Sequence, residues 1–213
     1  MFGTVVKLDI VVKQESNSSM AGVRQFDEDD ALDRVLAVFW RKGYGATSMQ
    51  DLAEATGVLR GSLYNAYGGK ESMFLAVFDR YKARYLASAS KALDKPDIET
   101  ALRDFFAFSI RSMTTGKPSR GCLTTKTATD ESADSAEIHA ALEGLLDGLE
   151  RLLQQRFERD DARDRLRLSP AEAAQLVVTM TRGIVVMERI HGDAAKLRAS
   201  ASALIKLMLL HRD

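Results

Sequence analysis

Three prolines, at positions 96, 118 and 170, are all that this chain of 213 residues contains. Proline removes a backbone donor and clashes with the preceding turn, so long stretches without it are open to helix. Apolar residues in those stretches repeat at helical spacing. Leu32, Val35, Leu36 and Phe39 fall at i, i+3, i+4 and i+7, the stripe of one helix face. Asp27 is placed to cap that helix and Gly43 to stop it. Phe74, Val77, Phe78, Tyr81 and Tyr85 repeat the pattern in a longer helix. Four more helices are predicted over 97–115, 135–159, 170–190 and 193–211, with Pro170 at the first helical position behind Ser169 as cap. Strand-like alternation occurs only over 4–12. The expectation is an all-α chain of about nine helices, with a boundary near residues 93 to 97.

Lys plus Arg equal Asp plus Glu at 30 each, so any polyanion must meet a local basic patch rather than a basic chain. The single cysteine, Cys122, cannot form an intrachain disulfide and suits a reducing, cytoplasmic compartment. No apolar run approaches the roughly 20 residues of a spanning helix. The apolar segment 4–12 is broken by Lys7 and Asp9, which is poor for a signal peptide. The expectation is either that Met20 is the natural start of the protein or that residues 1–22 form a loose leader.

The segment 47–70 carries the strongest local signal. Thr47 is expected to cap a short helix, with Gln50 three residues on completing a capping box. That helix runs to about Ala55, Gly57 supplies a left-handed turn, and a second short helix follows from about Val58 to Asn65. Two short helices crossing steeply need a small residue at the contact, a glycine in the turn and an apolar residue facing back. Ala53, Gly57 and Leu63 meet these needs, and Leu52 and Val58 complete the small core. The outer face of the second helix offers Arg60, Gly61, Ser62, Tyr64 and Asn65, which donate to phosphates and base edges. Gly61 costs a helix about 1 kcal/mol against alanine, and close approach to DNA is a reason to accept that cost. From residue 41 to 84, seven cations (41, 42, 60, 70, 80, 82, 84) face four anions (51, 54, 71, 79), a local balance of +3.

These residues resemble the DNA-binding domain of the TetR/AcrR regulators. The matching residues are Gly43 to Ser48, Asp51 to Ala53, Gly57 and Val58, Gly61 to Tyr64, Tyr67, and Lys70 to Phe74. The resemblance covers about 55 residues without a gap. It implies that Thr47, Ser48, Arg60, Gly61, Ser62, Tyr64, Asn65 and Lys70 sit at DNA-contacting positions on a double-stranded operator. It departs from the family pattern at Ala66, often polar, and at Gly69, often a capping residue. A three-helix DNA-binding domain with its linking helix is expected over 23–93, and an effector-binding, dimerising helical bundle over 94–213.

The second half carries no catalytic signature, no cofactor motif and no metal-ligand cluster, so neither an enzyme nor a metalloprotein is expected. His139, His191 and His211 are scattered, and Glu188 with His191 at i, i+3 lacks further partners. Phe105, Phe108, Met113, Cys122 and Met180 are candidate walls of a small-molecule effector pocket. Gly121-Cys122-Leu123 resembles one branch of the family in which cysteine senses electrophiles or oxidants. A helix N-terminus near Cys122, with Lys117 and Arg120, would lower its pKa. Ile184, Met187, Leu204 and Met208 are candidate contacts of a homodimer built as a four-helix bundle. Competing readings are a ligand-binding module without DNA binding and an enzyme on a helical bundle. The resemblance implies a ligand-released repressor.

Overall fold

The computed structural model describes residues 28–116 and 119–210. The strand-like segment 4–12, the start at Met20, the Asp27 cap, Lys117, Pro118 and His211 lie outside the described residues. Two compact units divide between Val77 and Phe78.

In the first unit, α1 (Glu28–Lys42) carries Glu28, Asp29 and Asp30 in its first turn and Arg41 and Lys42 in its last. Both ends complement the helix dipole. Its predicted stripe is buried, and Gly43 ends it at φ 88°. Next come α2 (Met49–Thr56) and α3 (Arg60–Tyr67), α2 packing on α1 and α3 on α2. The long α4 (Lys70–Leu93) begins in the first unit and ends in the second.

The second unit continues with α5 (Ile98–Thr114), α6 (Leu123–Ala128), a single 3-10 turn at Glu131–Ala133, α7 (Ala136–Phe157), α8 (Asp160–Arg163), α9 (Pro170–His191) and α10 (Ala194–Met208). The described residues thus hold ten α-helices rather than about nine. The addition is α8, whose four residues are too short to display a helical period, whereas α6 is the helix expected at Cys122. Asp97, Ser135, Ser169 and Asp193 each cap a helix by accepting from a first-turn amide. Each substitution by alanine at such a position costs about 1 kcal/mol. The predicted starts at 97, 135 and 193 are these caps, one residue outside their helices.

Helix α9 packs against α7, α5 and α10. Ala173 and Ala174 give close approach, and Val177, Ile184 and Val185 fill the interior. Phe105 and Phe106 on α5 are buried with ring centroids 5.6 Å apart. A large apolar side chain taken out of water contributes about 1.5–3 kcal/mol, so this unit needs no disulfide to hold its bundle. Leu166 and Leu209 form an isolated antiparallel bridge that ties the chain before α9 to the end of α10.

Candidate functional site

The helix-turn-helix differs in one register detail from the sequence expectation. Ser48, not Thr47, caps α2, and the capping box closes with Asp51 rather than Gln50. Thr47 is 2 % exposed and its hydroxyl donates to the Gly43 carbonyl at 2.6 Å. It is thereby a fastener of the turn after α1, with no free group for DNA. Gln50 reaches forward instead, to Glu54 at 3.0 Å. Asp51 is also met by the Lys42 ammonium. That ammonium, then the Ser48 amide and hydroxyl, hold the Asp51 carboxyl at about 2.

Gly57 follows α2 at φ 73°, a left-handed conformation that side chains other than glycine's resist. Val58 and Leu59 complete the turn in non-helical conformation, so α3 starts at Arg60, two residues later than expected. Leu63 is the one residue of α3 that is buried. Leu52 and Ala53 are buried on α2, against which α3 packs, as the spacing predicts. Arg60, Gly61, Tyr64 and Asn65 are exposed and Ser62 is half-buried. The Arg60 guanidinium lies 5.9 Å from the Tyr64 ring centroid, which holds both on one surface. The α3 cap, Leu59, makes no side-chain cap bond, and the first turn holds no acid. Its amides and dipole therefore favour an anion.

Leu59 itself is 66 % exposed and escaped the sequence reading. Its signal was a large apolar side chain beside the turn glycine, read there as part of the helix. Lys70 opens α4, half-buried, with Nζ 3.1 Å from the Tyr44 carbonyl and 4.3 Å from the Tyr44 ring. Tyr67 donates its hydroxyl to Glu28 at 3.0 Å, tying α3 to the start of α1.

In the second unit the proposed pocket residues separate. Phe105 and Met113 are buried in the core, whereas Phe108, Cys122 and Met180 are half-buried. Gly121 takes φ 68° ahead of α6, which places Cys122 at the helix cap and Leu123 in the core. The cation beside Cys122 is Arg182, 60 residues on, whose Nη1 donates to Sγ at 3.3 Å. Arg120 turns instead to the Ser112 carbonyl. Burial pushes the Cys122 thiol up. The Arg182 guanidinium, the Thr125 amide and hydroxyl and the Thr124 hydroxyl outweigh burial, and its pKa falls below the ordinary thiol value. A groove elsewhere in this unit is lined by Leu86, Ala87, Gly148 and Leu152, none of them a predicted pocket residue.

Of the predicted dimer contacts, Ile184 and Met208 are buried within the chain's own core and Leu204 is half-buried, whereas Met187 is exposed. The outward face carries Leu176, Met187 and Ile190 on α9 and Leu207 on α10. Successive positions on a helix turn by about 100°, and the apolar run alone did not say which side was inward. Glu188 is buried and accepts from Ser119, whereas His191 is exposed. No group of three metal-ligating side chains occurs among the described residues. None of the described helices is long and apolar enough to cross a membrane.

Residues 31–77 match the model of the family described as bacterial regulatory proteins, tetR family, and residues 99–204 match that of the tetracyclin repressor-like C-terminal domain. The HTH-type transcriptional repressor ComR of Escherichia coli (strain K12) is 33% identical over 186 residues, covering 85% of this chain and 89% of ComR. A cysteine mutant of the TetR family regulator CifR, solved with 26-bp double-strand operator DNA, is 26% identical with a TM-score of 0.77 over 86% of this chain and 97% of CifR. Reduced E. coli NemR shares the fold at a TM-score of 0.78 and 19% identity, over 86% of this chain and 97% of that one. With an exposed, acid-free second helix set on a buried Leu63, and relatives that match across both units, the chain belongs to the TetR family of DNA-binding bacterial transcription regulators.

Proposed function

We propose that this chain is a cytoplasmic transcriptional repressor that binds a palindromic operator as a homodimer and leaves it when a small molecule enters the second unit. The observation that carries the DNA reading is α3. Seven of its eight residues lie outside the core, and they bring a cation, a phenol, an amide and a hydroxyl but no carboxylate. Ser48, Arg60, Gly61, Ser62, Tyr64 and Asn65 form the proposed contact surface. Lys70 adds charge near its base while held by Tyr44. Leu59 adds an apolar contact suited to a thymine methyl. ComR bears the name of a repressor, which favours repression here.

The exposed face of α9 and α10 supports the dimer. Ile190 and Leu207 are 67 % and 72 % exposed, and Gly183 between Met180 and Met187 has open space where a side chain would stand. Two such helices from each chain would form a four-helix bundle. Helix α4 belongs to both units and is the element through which an effector would alter recognition-helix spacing. An effector shifts operator affinity only by its preference for one spacing over the other.

The test is affinity for duplex DNA as salt rises. A reader that neutralises several phosphates loses affinity steeply with salt, by about 0.9 decades per decade of salt for each phosphate. A flat dependence would indicate a ligand-binding module without DNA binding.

The Cys122–Arg182 contact favours a second reading, in which a thiol-reactive compound is the signal. A lowered thiol pKa raises the thiolate fraction that attacks electrophiles. Release from DNA by such a compound should disappear in Cys122→Ser, and release that persists would exclude this reading.

A further inference from the structure

Arg182 stands in the second unit without a carboxylate partner among the described residues. Its Nε and Nη2 donate to the Thr181 hydroxyl, each at 3.2 Å, and its Nη1 donates to Cys122 Sγ at 3.3 Å. Two weakly matched acceptors leave donors of the guanidinium fork over. The groups around it are also donors. The Tyr85 phenol from α4 lies beside both Arg182 and Ser109, and the Tyr81 phenol lies beside Thr124 and Cys122. Ser109 Oγ beside Tyr85, and Thr124 Oγ1 beside Tyr81 and Cys122, make no well-formed hydrogen bond, although their residues are 0 % and 3 % exposed.

Buried polar groups in native proteins find partners, so a cluster of hydroxyls without a well-formed bond asks for a missing group. The Cys122 sulfur answers part of the Arg182 charge. It does not answer Ser109, which is not among the groups acting on the thiol. What four elements, α4, α5, α6 and α9, leave unfilled is an acceptor with several lone pairs. A carboxylate has that capacity and matches the planar guanidinium. The adjoining surface is aromatic. Tyr81 and Tyr85 have ring centroids 5.8 Å apart, and Tyr85 and Phe108 are 5.1 Å apart.

We propose that Arg182, Tyr85, Ser109 and Thr124 form a binding site for a small organic carboxylate, whose apolar body lies along the Tyr85 and Phe108 rings. This assignment rests on the reading of the second unit as the effector-binding part. Arg182 takes the carboxylate, and the three hydroxyls complete its shell.

Calorimetry on the full chain without DNA tests the site, so that its failure is separate from failure of DNA binding. The probes are benzoate, its uncharged isostere benzamide, and inorganic phosphate. Benzoate should bind at least about tenfold more tightly than benzamide. Arg182→Met should abolish that preference and Arg182→Lys should retain part of it. Should Arg182→Met not fold, the double variant Ser109→Ala, Thr124→Val should weaken benzoate severalfold. Cys122→Ser should bind benzoate as well as the parent chain or better, because it removes a competing sulfur. Equal binding of benzoate and benzamide, undiminished binding by Arg182→Met, preference for phosphate, or no heat with any probe would each overturn the proposal. So would loss of benzoate binding in Cys122→Ser.

Discussion

Arg156 on α7 grips Asp161 on α8 through two parallel bonds, at 2.9 and 2.7 Å, while its other donors take the carbonyls of Leu93 at 3.1 Å and Lys95 at 3.0 Å. A buried guanidinium is thus satisfied by a carboxylate and by two carbonyls at and just beyond the end of α4. Removing one partner of a buried pair costs about 3–5 kcal/mol, because the remaining charge stays uncompensated. Arg156→Met should accordingly lower the thermal midpoint of unfolding by many degrees. Adding Asp161→Asn should recover part of the loss. A midpoint within a degree of the parent chain would show that α4 is not fastened this way.

Gly61 separates stability from recognition. A Cβ at this position would meet nothing within 4 Å, so the free protein has room for alanine. Gly61→Ala should stabilise the fold by about 0.5–1 kcal/mol, since glycine is the poorer helix residue. The same variant should bind operator DNA more weakly, because the added methyl stands on the proposed contact face. Denaturant unfolding and DNA titration of one preparation check both signs. Stabilisation with unchanged DNA affinity would remove Gly61 from the interface.

Acid should loosen the start of α2 in a defined window. The Asp51 carboxyl is held at about 2 against an ordinary 3.8, chiefly by Lys42 and then by Ser48. A carboxyl with a depressed folded pKa stabilises the fold above its unfolded value and loses that contribution as pH falls through the folded value. The cap should hold above about pH 4 and fade toward pH 2. Carboxyl titration by NMR should find Asp51 near 2 in the parent and higher in Lys42→Met. An ordinary Asp51 pKa in the parent chain would contradict the capping box.

Arg182 should govern the reactivity of Cys122. The folded thiol lies below its ordinary value because the guanidinium and neighbouring Thr125 and Thr124 groups outweigh burial. Its contribution to stability is present above the unfolded thiol value and is lost as pH falls through the folded value. Alkylation rates measured against pH should give a midpoint below the usual thiol range, and Arg182→Met should move it upward. An unmoved midpoint would separate the two residues.

The sequence was informative wherever one element carried its own signal. Stripes such as Leu32–Phe39, caps such as Ser169 and the turn glycine at Gly57 are local, and the structure keeps them. Register was harder. Thr47 and Ser48 are both good caps, and only the Thr47 bond to Gly43 and the Ser48 bond to Asp51 decide between them. Partners far apart in sequence were invisible. Arg182 meets Cys122 across 60 positions, and Arg156 meets Leu93 across 63. Inward and outward sides of α9 and α10 also required the packing, which buried Ile184 and Met208 and left Ile190 and Leu207 outside.

That outer face gives a direct prediction for assembly. Ile190→Asp with Leu207→Asp places charges where two copies would meet, and desolvating them opposes association. Light scattering should find a monomer for this variant and a dimer for the parent chain. A dimeric double variant would move the interface elsewhere.

Selection of bound duplexes from a random pool tests the central claim most directly, with the parent chain and an Arg60→Ala, Asn65→Ala variant run side by side. The parent should enrich a two-fold symmetric sequence whose half-sites lie about one helical turn, or a multiple of it, apart. The variant should lose that enrichment. A parent chain that enriches no sequence, or a variant that enriches the same one as strongly, would contradict DNA recognition through α3.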